Sequence, residues 1–224
     1  MLAALGFTTT GILFGIFAYR LRVLQQKQNL SVINNFAAAY ILLGLAFLIW
    51  GAVSIVGDLD LLALSVIAGD ALLLAATILM SNILFAKHRR KHLFVYGLAA
   101  AGVSLFLVRA FFFYPMPFMT DGILFFNSQR LVSFTITFAF LMIWLPVNLR
   151  MATMLTQKTP SLAKLYSYMY TTATLAAVIF ILAKAPMTVA LSFTAISVSF
   201  LMLIISNEFL ITMKGAHGRQ RTES

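Results

Sequence analysis

The chain has 224 residues, of which 62% are hydrophobic and 10% are charged, with a formal net charge of +10. A soluble domain has about 25% charged residues, so this composition excludes a water-soluble globular protein and indicates a membrane protein. The sequence contains no cysteine, which excludes disulfides, zinc–thiolate sites and iron–sulfur clusters. We expect no nucleic-acid partner, because the basic residues lie beside apolar segments, as they do in membrane proteins.

Seven apolar segments follow one another along the chain, each near the length of about 20 residues that an α-helix needs to cross a bilayer. Transmembrane strands would alternate apolar and polar residues, and segments such as 37–50 do not alternate. The predicted helices cover residues 2–19, 35–56, 61–85, 93–114, 123–148, 165–184 and 187–213. We therefore predict an all-α integral membrane protein with a seven-transmembrane-helix bundle at 1–213 and a basic cytoplasmic tail at 214–224.

Basic residues cluster after the first, third, fifth and seventh segments, at 20–27, 87–91, 150–164 and 214–221. Connections rich in Lys and Arg remain on the cytoplasmic side of a membrane. This pattern predicts that the N-terminus lies outside and the C-terminus in the cytoplasm, with the cytoplasmic or plasma membrane as the location. The bilayer is then the first partner, and we expect anionic lipids at the cytoplasmic face.

His88 and His92 lie four residues apart in one of these clusters, a spacing that places two imidazoles on one helical face. The adjacent Arg and Lys residues would repel a cation, so we predict no metal site there. We also expect no cofactor. No two histidines face each other within the segments, and the seventh segment lacks the central lysine that attaches retinal.

Aromatic residues near the ends of the predicted helices are interpreted as anchors at the membrane interface. They are Tyr19, Tyr40, Trp50, Tyr96, Tyr114 and Trp144. Small residues at Gly51, Ala52 and 99–102 would allow close contact between helices. Ordinary transmembrane composition is the simpler explanation for those small residues.

The connections repeat their long–short alternation after the fourth segment, which predicts a 3+1+3 internal repeat. Short similarities support it, such as GFTTT at 6–10 and SFTIT at 133–137. In layout alone, the chain resembles the SWEET sugar transporters, the microbial rhodopsins and the seven-helix input regions of bacterial receptor kinases. No family is recognised from the residues themselves.

Besides Lys184 at the outer end of the sixth segment, three charged residues lie within the outer half of the predicted segments: Asp70, Arg109 and Arg130. A charge in the hydrocarbon costs at least about 2.5–3.5 kcal/mol, so each charge needs a partner or a function. With the neighbouring Asn127 and Gln129, they predict an outward-opening ligand site whose surplus positive charge binds a carboxylate or phosphate. The alternative is that the arginines snorkel to the interface and that Asp70 is a paired or protonated packing residue.

A second hypothesis is a proton or ion relay from Asp70 through Asn82 and Asn207 to Glu208. The alternative for Glu208 is a residue at the inner interface that pairs with a cytoplasmic base.

No nucleophile–base pair is visible, so we expect no enzymatic activity. The preferred interpretation is a non-enzymatic receptor or sensor module that binds a small anionic or amphipathic ligand from the non-cytoplasmic side. A cytoplasmic protein or a second copy of the chain would be its partner. The alternatives are a small 3+1+3 transporter with a midplane polar site and a structural or lipid-binding subunit of a membrane complex.

Overall fold

The computed structural model describes residues 2–28, 32–112, 115–120, 123–125, 130–156 and 159–220. Several side chains at element ends, including those of Arg130 and 213–220, lie outside this description. Eight α-helices occur in the described residues, and a π-helical stretch, Phe140–Trp144, joins α5 to α6. The helices are α1 (Leu2–Gln28), α2 (Val32–Val56), α3 (Leu59–Leu84), α4 (Lys91–Phe112), α5 (Arg130–Ala139), α6 (Leu145–Leu155), α7 (Pro160–Leu182) and α8 (Pro186–Gln220).

Seven helical segments in the described residues are long and apolar enough to cross a membrane. They are α1, α2, α3 and α4, the continuous segment formed by α5, the π-helical stretch and α6, and then α7 and α8. The prediction of a multi-pass membrane protein with seven helical segments is thereby confirmed, and a short β-hairpin is added to the predicted all-α fold. The orientation in the membrane and the internal repeat remain predictions.

The fifth segment differs most from its predicted limits of 123–148. Its helix begins at Arg130 and continues to Leu155. Before it, β1 (Phe118–Thr120) and β2 (Ile123–Phe125) form an antiparallel pair, with Phe118 opposite Phe125. The sequence between the strands is Asp-Gly, which is typical of tight hairpins. The apolar residues at 123–125 were therefore assigned to the wrong element.

The turn between α2 and α3 fixes where α3 begins. Gly57 has a positive φ of 74°, which an L side chain rarely adopts, and it ends α2. The Asp58 carboxylate then accepts hydrogen bonds from the backbone N–H groups of Asp60 and Leu61, at 2.9 and 3.1 Å. This N-cap satisfies backbone N–H donors at the start of α3. Because it fixes where the helix begins, it also fixes the side of α3 from which Asp70 projects about three turns later.

Glycines bring α1 and α2 into backbone contact. A Cβ atom added at Gly11 would lie 2.9 Å from the carbonyl oxygen of Gly44, and one at Gly44 would lie 3.0 Å from that of Gly11. Gly51 packs closely on Thr8, so at this position close helix contact, and not ordinary composition alone, accounts for the small residue, whereas Ala52 is exposed. Because lipid supplies no hydrophobic force between helices, such close van der Waals packing is a main source of their association.

The remaining helices complete a bundle in which α4 is peripheral. α1 also packs on α8, α2 on α3, and α7 on both α6 and α8, whereas α4 packs mainly on α3. Aromatic side chains from several helices fill the centre, with edge-to-face contacts such as Phe14–Phe200 at 4.5 Å and Phe17–Tyr40 at 5.1 Å between ring centroids.

Three of the predicted interface anchors are instead part of this core. Tyr40, Trp50 and Trp144 are all buried, so their prediction as anchors was wrong. Tyr19 and Tyr96 are exposed, in agreement with the prediction, and Tyr114 lies outside the described residues. The physical reason is that each buried ring finds a hydrogen-bond partner for its polar group inside the bundle, as buried Tyr and Trp usually do.

Hydrogen bonds tie α6 and the adjoining π-helical stretch to three other helices. The Tyr40 hydroxyl of α2 donates to Asn148 Oδ1 at 2.9 Å, and Asn148 Nδ2 donates to Thr174 Oγ1 of α7 at 3.4 Å. The indole N–H of Trp144 donates to Thr77 Oγ1 of α3 at 3.0 Å. These bonds fix α6 in the bundle, and no sequence pattern had indicated them.

Candidate functional site

A buried ion pair connects α3 to α4. Arg109 Nε lies 3.0 Å from Asp70 Oδ2, and the two side chains are only 7% and 15% exposed. The predicted pairing of Asp70 with an arginine is thereby confirmed. The Arg109 side chain points into the bundle, so snorkelling to the interface is wrong for this arginine. A role of Asp70 and Arg109 in ligand binding remains a prediction.

The geometry of the pair leaves hydrogen-bonding capacity at Asp70. Oδ2 is within ion-pair distance of Arg109 Nε, yet among the described residues it accepts no hydrogen bond of satisfactory geometry. A carboxylate oxygen can accept about two such bonds. Asp70 can therefore still accept from an O–H or N–H donor placed beside it.

A cavity of about 60 Å³ lies against the ion pair. Asp70 and Arg109 are the two charged residues in its lining, and the rest of the lining is apolar. The apolar walls come from α2, α3, α5, the π-helical stretch and α7, and they include Phe47, Trp50, Val66, Ile136, Phe140 and Phe180. This volume holds a few water molecules or one small head group, and it is below the 300–1,000 Å³ of typical sites for drug-sized ligands.

Trp50 is positioned in the cavity wall by two features of α3. Its indole N–H donates to the backbone carbonyl of Ser65 at 2.9 Å. Its ring lies so close to Gly69 that a Cβ atom at that position would overlap the indole. Gly69 lacks a side chain and so leaves room on α3 for the Trp50 ring. The next residue, Asp70, provides the carboxylate that pairs with Arg109.

The π-helical stretch forms another part of the wall. The Leu145 N–H donates to the carbonyl of Phe140, five residues earlier, and Pro146 follows without an N–H of its own. Phe140 lines the cavity, whereas Trp144 bonds to Thr77 and meets the Tyr40 ring edge-on at 5.7 Å. The π-helical stretch therefore contributes one side chain to the cavity wall and another to the hydrogen bonds that connect it to α3. Pro146 is visible in the sequence, but the sequence does not indicate that the preceding helical turn contains one residue more than an α-helical turn.

The other residues of the predicted ligand site cannot be placed beside the ion pair. Arg130 begins α5, but its side chain lies outside the described residues. Asn127 and Gln129 lie outside the described residues altogether. Their share in the site remains a prediction.

The three residues that follow Asp70 in the predicted relay each have a different partner. Asn82 Nδ2 donates to the Ile78 carbonyl of its own helix at 3.2 Å. Asn207 Oδ1 accepts from the Tyr166 hydroxyl at 2.5 Å, and Glu208 Oε1 lies 2.6 Å from Arg20 Nε. The alternative interpretation of Glu208, a pairing with a basic residue, is confirmed, and the partner Arg20 belongs to the first basic cluster. The position of this pair at the cytoplasmic interface remains a prediction. The relay itself is untested.

The basic connection at 87–92 is exposed except for the half-buried Lys91. His88 Nδ1 accepts from the backbone N–H of Arg90 at 3.2 Å, and its ring meets Phe94 edge-on at 4.8 Å. Among the described residues, no group of three or more His, Cys, Asp or Glu side chains could hold a metal ion. Contact of this connection with anionic lipids stays a prediction.

No protein-family model matches the sequence, and no match to it was found among curated proteins or among solved structures. Function is therefore inferred from the cavity and from the residues around it.

Proposed function

We propose that the protein is a non-enzymatic seven-helix receptor or sensor that binds a small amphipathic molecule in the cavity beside Asp70 and Arg109, from the non-cytoplasmic side. The observation that carries this proposal is a buried ion pair in the lining of an otherwise apolar cavity. Apolar walls with a few convergent polar groups are typical of sites for small molecules. Ionisable residues inside transmembrane segments are also functional candidates by default, because inserting them is costly.

The charge of the pair selects the class of ligand. Within the part of the site that the structure describes, one carboxylate opposite one guanidinium is neutral overall, so a doubly charged phosphate would add net buried charge. A protonated carboxyl head or a hydroxyl head can donate to Asp70 Oδ2 and accept from Arg109 at the same time. The geometry therefore favours an amphipathic ligand over the phosphate considered from sequence.

The size of the cavity indicates where the polar head and the apolar part of such a ligand would bind. About 60 Å³ accommodates the polar head, and the apolar part would lie along the helices that form the walls. Fatty acids and long-chain alcohols have this construction. Their apolar parts partition into the bilayer and so bring the head group to the depth of the site.

Binding at Arg109 would act on the position of α4. This helix buries only Val95 and Arg109, so the ion pair is a large part of its attachment to α3. A head group that takes hydrogen bonds from Arg109 competes with Asp70 and stabilises a state in which α4 has moved. A ligand shifts such an equilibrium by its difference in affinity for the two states, and a shift of α4 would be the output that a partner detects.

Decanoic acid is a suitable probe, added to the purified chain in nanodiscs, with decane as the probe that lacks a head group. We expect saturable binding of decanoic acid, measured by tryptophan fluorescence. Ala177→Leu, which places a larger apolar side chain in the cavity lining and leaves both charged residues in place, should weaken binding by about tenfold, equivalent to roughly 1.4 kcal/mol. Ala190→Leu, at an exposed position on α8, is the matched control.

Three results would contradict the proposal. Equal binding to the Ala177→Leu variant would show that the site lies elsewhere. Solute flux in proteoliposomes that Asp70→Asn abolishes would favour a transporter. Absence of binding and flux, together with co-purification of a stable partner, would favour a structural subunit.

A further inference from the structure

A second group of polar side chains lies on the seam between α7 and α8. Tyr166 and Tyr170 are one turn apart on α7, with ring centroids separated by 6.1 Å. Asn207 projects from α8, and its Oδ1 accepts the hydroxyl of Tyr166 at 2.5 Å. All three side chains are fully buried. These residues are absent from the lining of the Asp70–Arg109 cavity, so the group is separate from that site.

Two polar atoms of this group have no hydrogen-bond partner in the part of the chain that the structure describes. They are the hydroxyl oxygen of Tyr170 and Nδ2 of Asn207. Exchanging the oxygen and nitrogen of the Asn207 amide would still leave one side of the amide without a partner. A polar group in an apolar environment without a hydrogen bond is strongly unfavourable, and a bundle surrounded by lipid offers no bulk water to relieve it.

The neighbouring Tyr–Asn pair shows how this chain satisfies the same groups elsewhere. The Tyr40 hydroxyl donates to Asn148, the Asn148 amide donates to Thr174, and the Thr174 hydroxyl donates to the carbonyl of Tyr170. In that chain of hydrogen bonds both sides of the amide are used. The α7–α8 group contains the same kinds of side chain, but its described residues form only the hydrogen bond from Tyr166 to Asn207.

The chemistry of the two atoms restricts what could complete the group. The Asn207 amide nitrogen is a donor only, and the Tyr170 hydroxyl can donate or accept. A cation would therefore meet N–H groups, and an anion would be buried against Phe17 and Phe36, whose rings lie 6.2 and 6.0 Å from that of Tyr170. A neutral molecule that accepts hydrogen bonds fits, and water is the smallest such molecule.

We propose that buried water completes this group, bound at the Tyr170 hydroxyl and at the Asn207 amide. Buried waters in proteins make about three hydrogen bonds to polar groups that would otherwise lack partners, and they are costly to remove. The site adds a hydrated position to the predicted cytoplasmic half of the bundle, apart from the ligand cavity.

The direct test is a high-resolution structure of the full chain in nanodiscs. We expect ordered density within hydrogen-bond distance of Tyr170 Oη or of the Asn207 amide. Apolar surroundings at both atoms, or protein partners for both, would overturn the proposal.

A stability measurement provides an independent test. Tyr170→Phe removes the hydroxyl and little else, so the loss of a water-mediated bond should lower the melting temperature by about 2–4 °C. Tyr168→Phe, on the same helix but 67% exposed, should leave it unchanged. An unchanged or raised melting temperature for Tyr170→Phe would mean that the hydroxyl is dry, because removing a buried unpaired group is neutral or stabilising.

Discussion

Arg109 Nε and Asp70 Oδ2 are 3.0 Å apart, and Arg109 is one of only two residues that α4 buries. The contact between these two atoms therefore serves two purposes. It neutralises two charges that lipid would not tolerate singly, and it attaches a helix that has little other buried surface. Stability and the proposed ligand response thus depend on the same pair.

We predict that breaking this pair is more harmful than replacing it. Asp70→Leu or Arg109→Met alone leaves one buried charge without its partner, and each should lower the free energy of unfolding by about 3–5 kcal/mol. The double variant leaves no charge and should lose less than the sum of the two. Unfolding of the purified variants in mixed micelles measures this coupling. Strictly additive losses would show that the ion pair contributes nothing.

The contact between α1 and α2 gives a second prediction. Gly11→Ala places a methyl group against the Gly44 carbonyl, which should separate the helices and cost about 1–3 kcal/mol. Gly15 lies one turn further along, is exposed, and has open space around it, so Gly15→Ala is the matched control. Because alanine has the better helix propensity, the control should be neutral or slightly stabilising. Thermal unfolding of both variants in one detergent distinguishes them. Equal effects would contradict the close approach seen at Gly11.

The third prediction concerns Asn148, whose amide has partners on two helices. Tyr40→Phe removes one hydrogen bond and should cost about 0.6 kcal/mol, the mean for such bonds in membrane proteins. Asn148→Leu removes two and should cost more. In the Asn148→Leu background, Tyr40→Phe should have little further effect, because its partner is already gone. Unfolding free energies of the two single variants and the double variant form the cycle. Full additivity would exclude the Tyr40–Asn148 bond.

The absence of cysteine makes the predicted orientation testable with single cysteine substitutions. Asp60→Cys lies at the start of α3 and Ala86→Cys just beyond its end, and both positions are exposed. In intact cells, a membrane-impermeant maleimide should label Asp60→Cys, whereas Ala86→Cys should react only after permeabilisation. The unaltered chain provides the background signal. The reverse pattern would invert the topology inferred from the basic clusters.

The number of segments could be predicted because the bilayer imposes a length and a composition on any spanning helix. The Asp70–Arg109 pair could also be anticipated, since few charges lie in the segments and opposite charges in lipid tend to pair. Both predictions depend on position along the helix axis, which the sequence shows directly.

Rotation about that axis could not be predicted in the same way. A segment that is apolar on every side does not indicate which face meets protein and which meets lipid. Depth alone therefore predicts an interface position for Tyr40, Trp50 and Trp144, whereas the structure buries all three side chains in the core. The π-helical stretch was missed for a related reason, because it depends on a shift of backbone hydrogen bonds that Pro146 signals only in part.

The position of Trp50 also has a spectroscopic consequence. The chain has two tryptophans, and only Trp50 lines the cavity, whereas Trp144 is hydrogen-bonded to Thr77. A Trp144→Phe variant would therefore contain a single indole, located beside the ion pair. The fluorescence emission of Trp50 would report directly on the polarity of the cavity. Binding of a ligand in the cavity could therefore be followed without an added label.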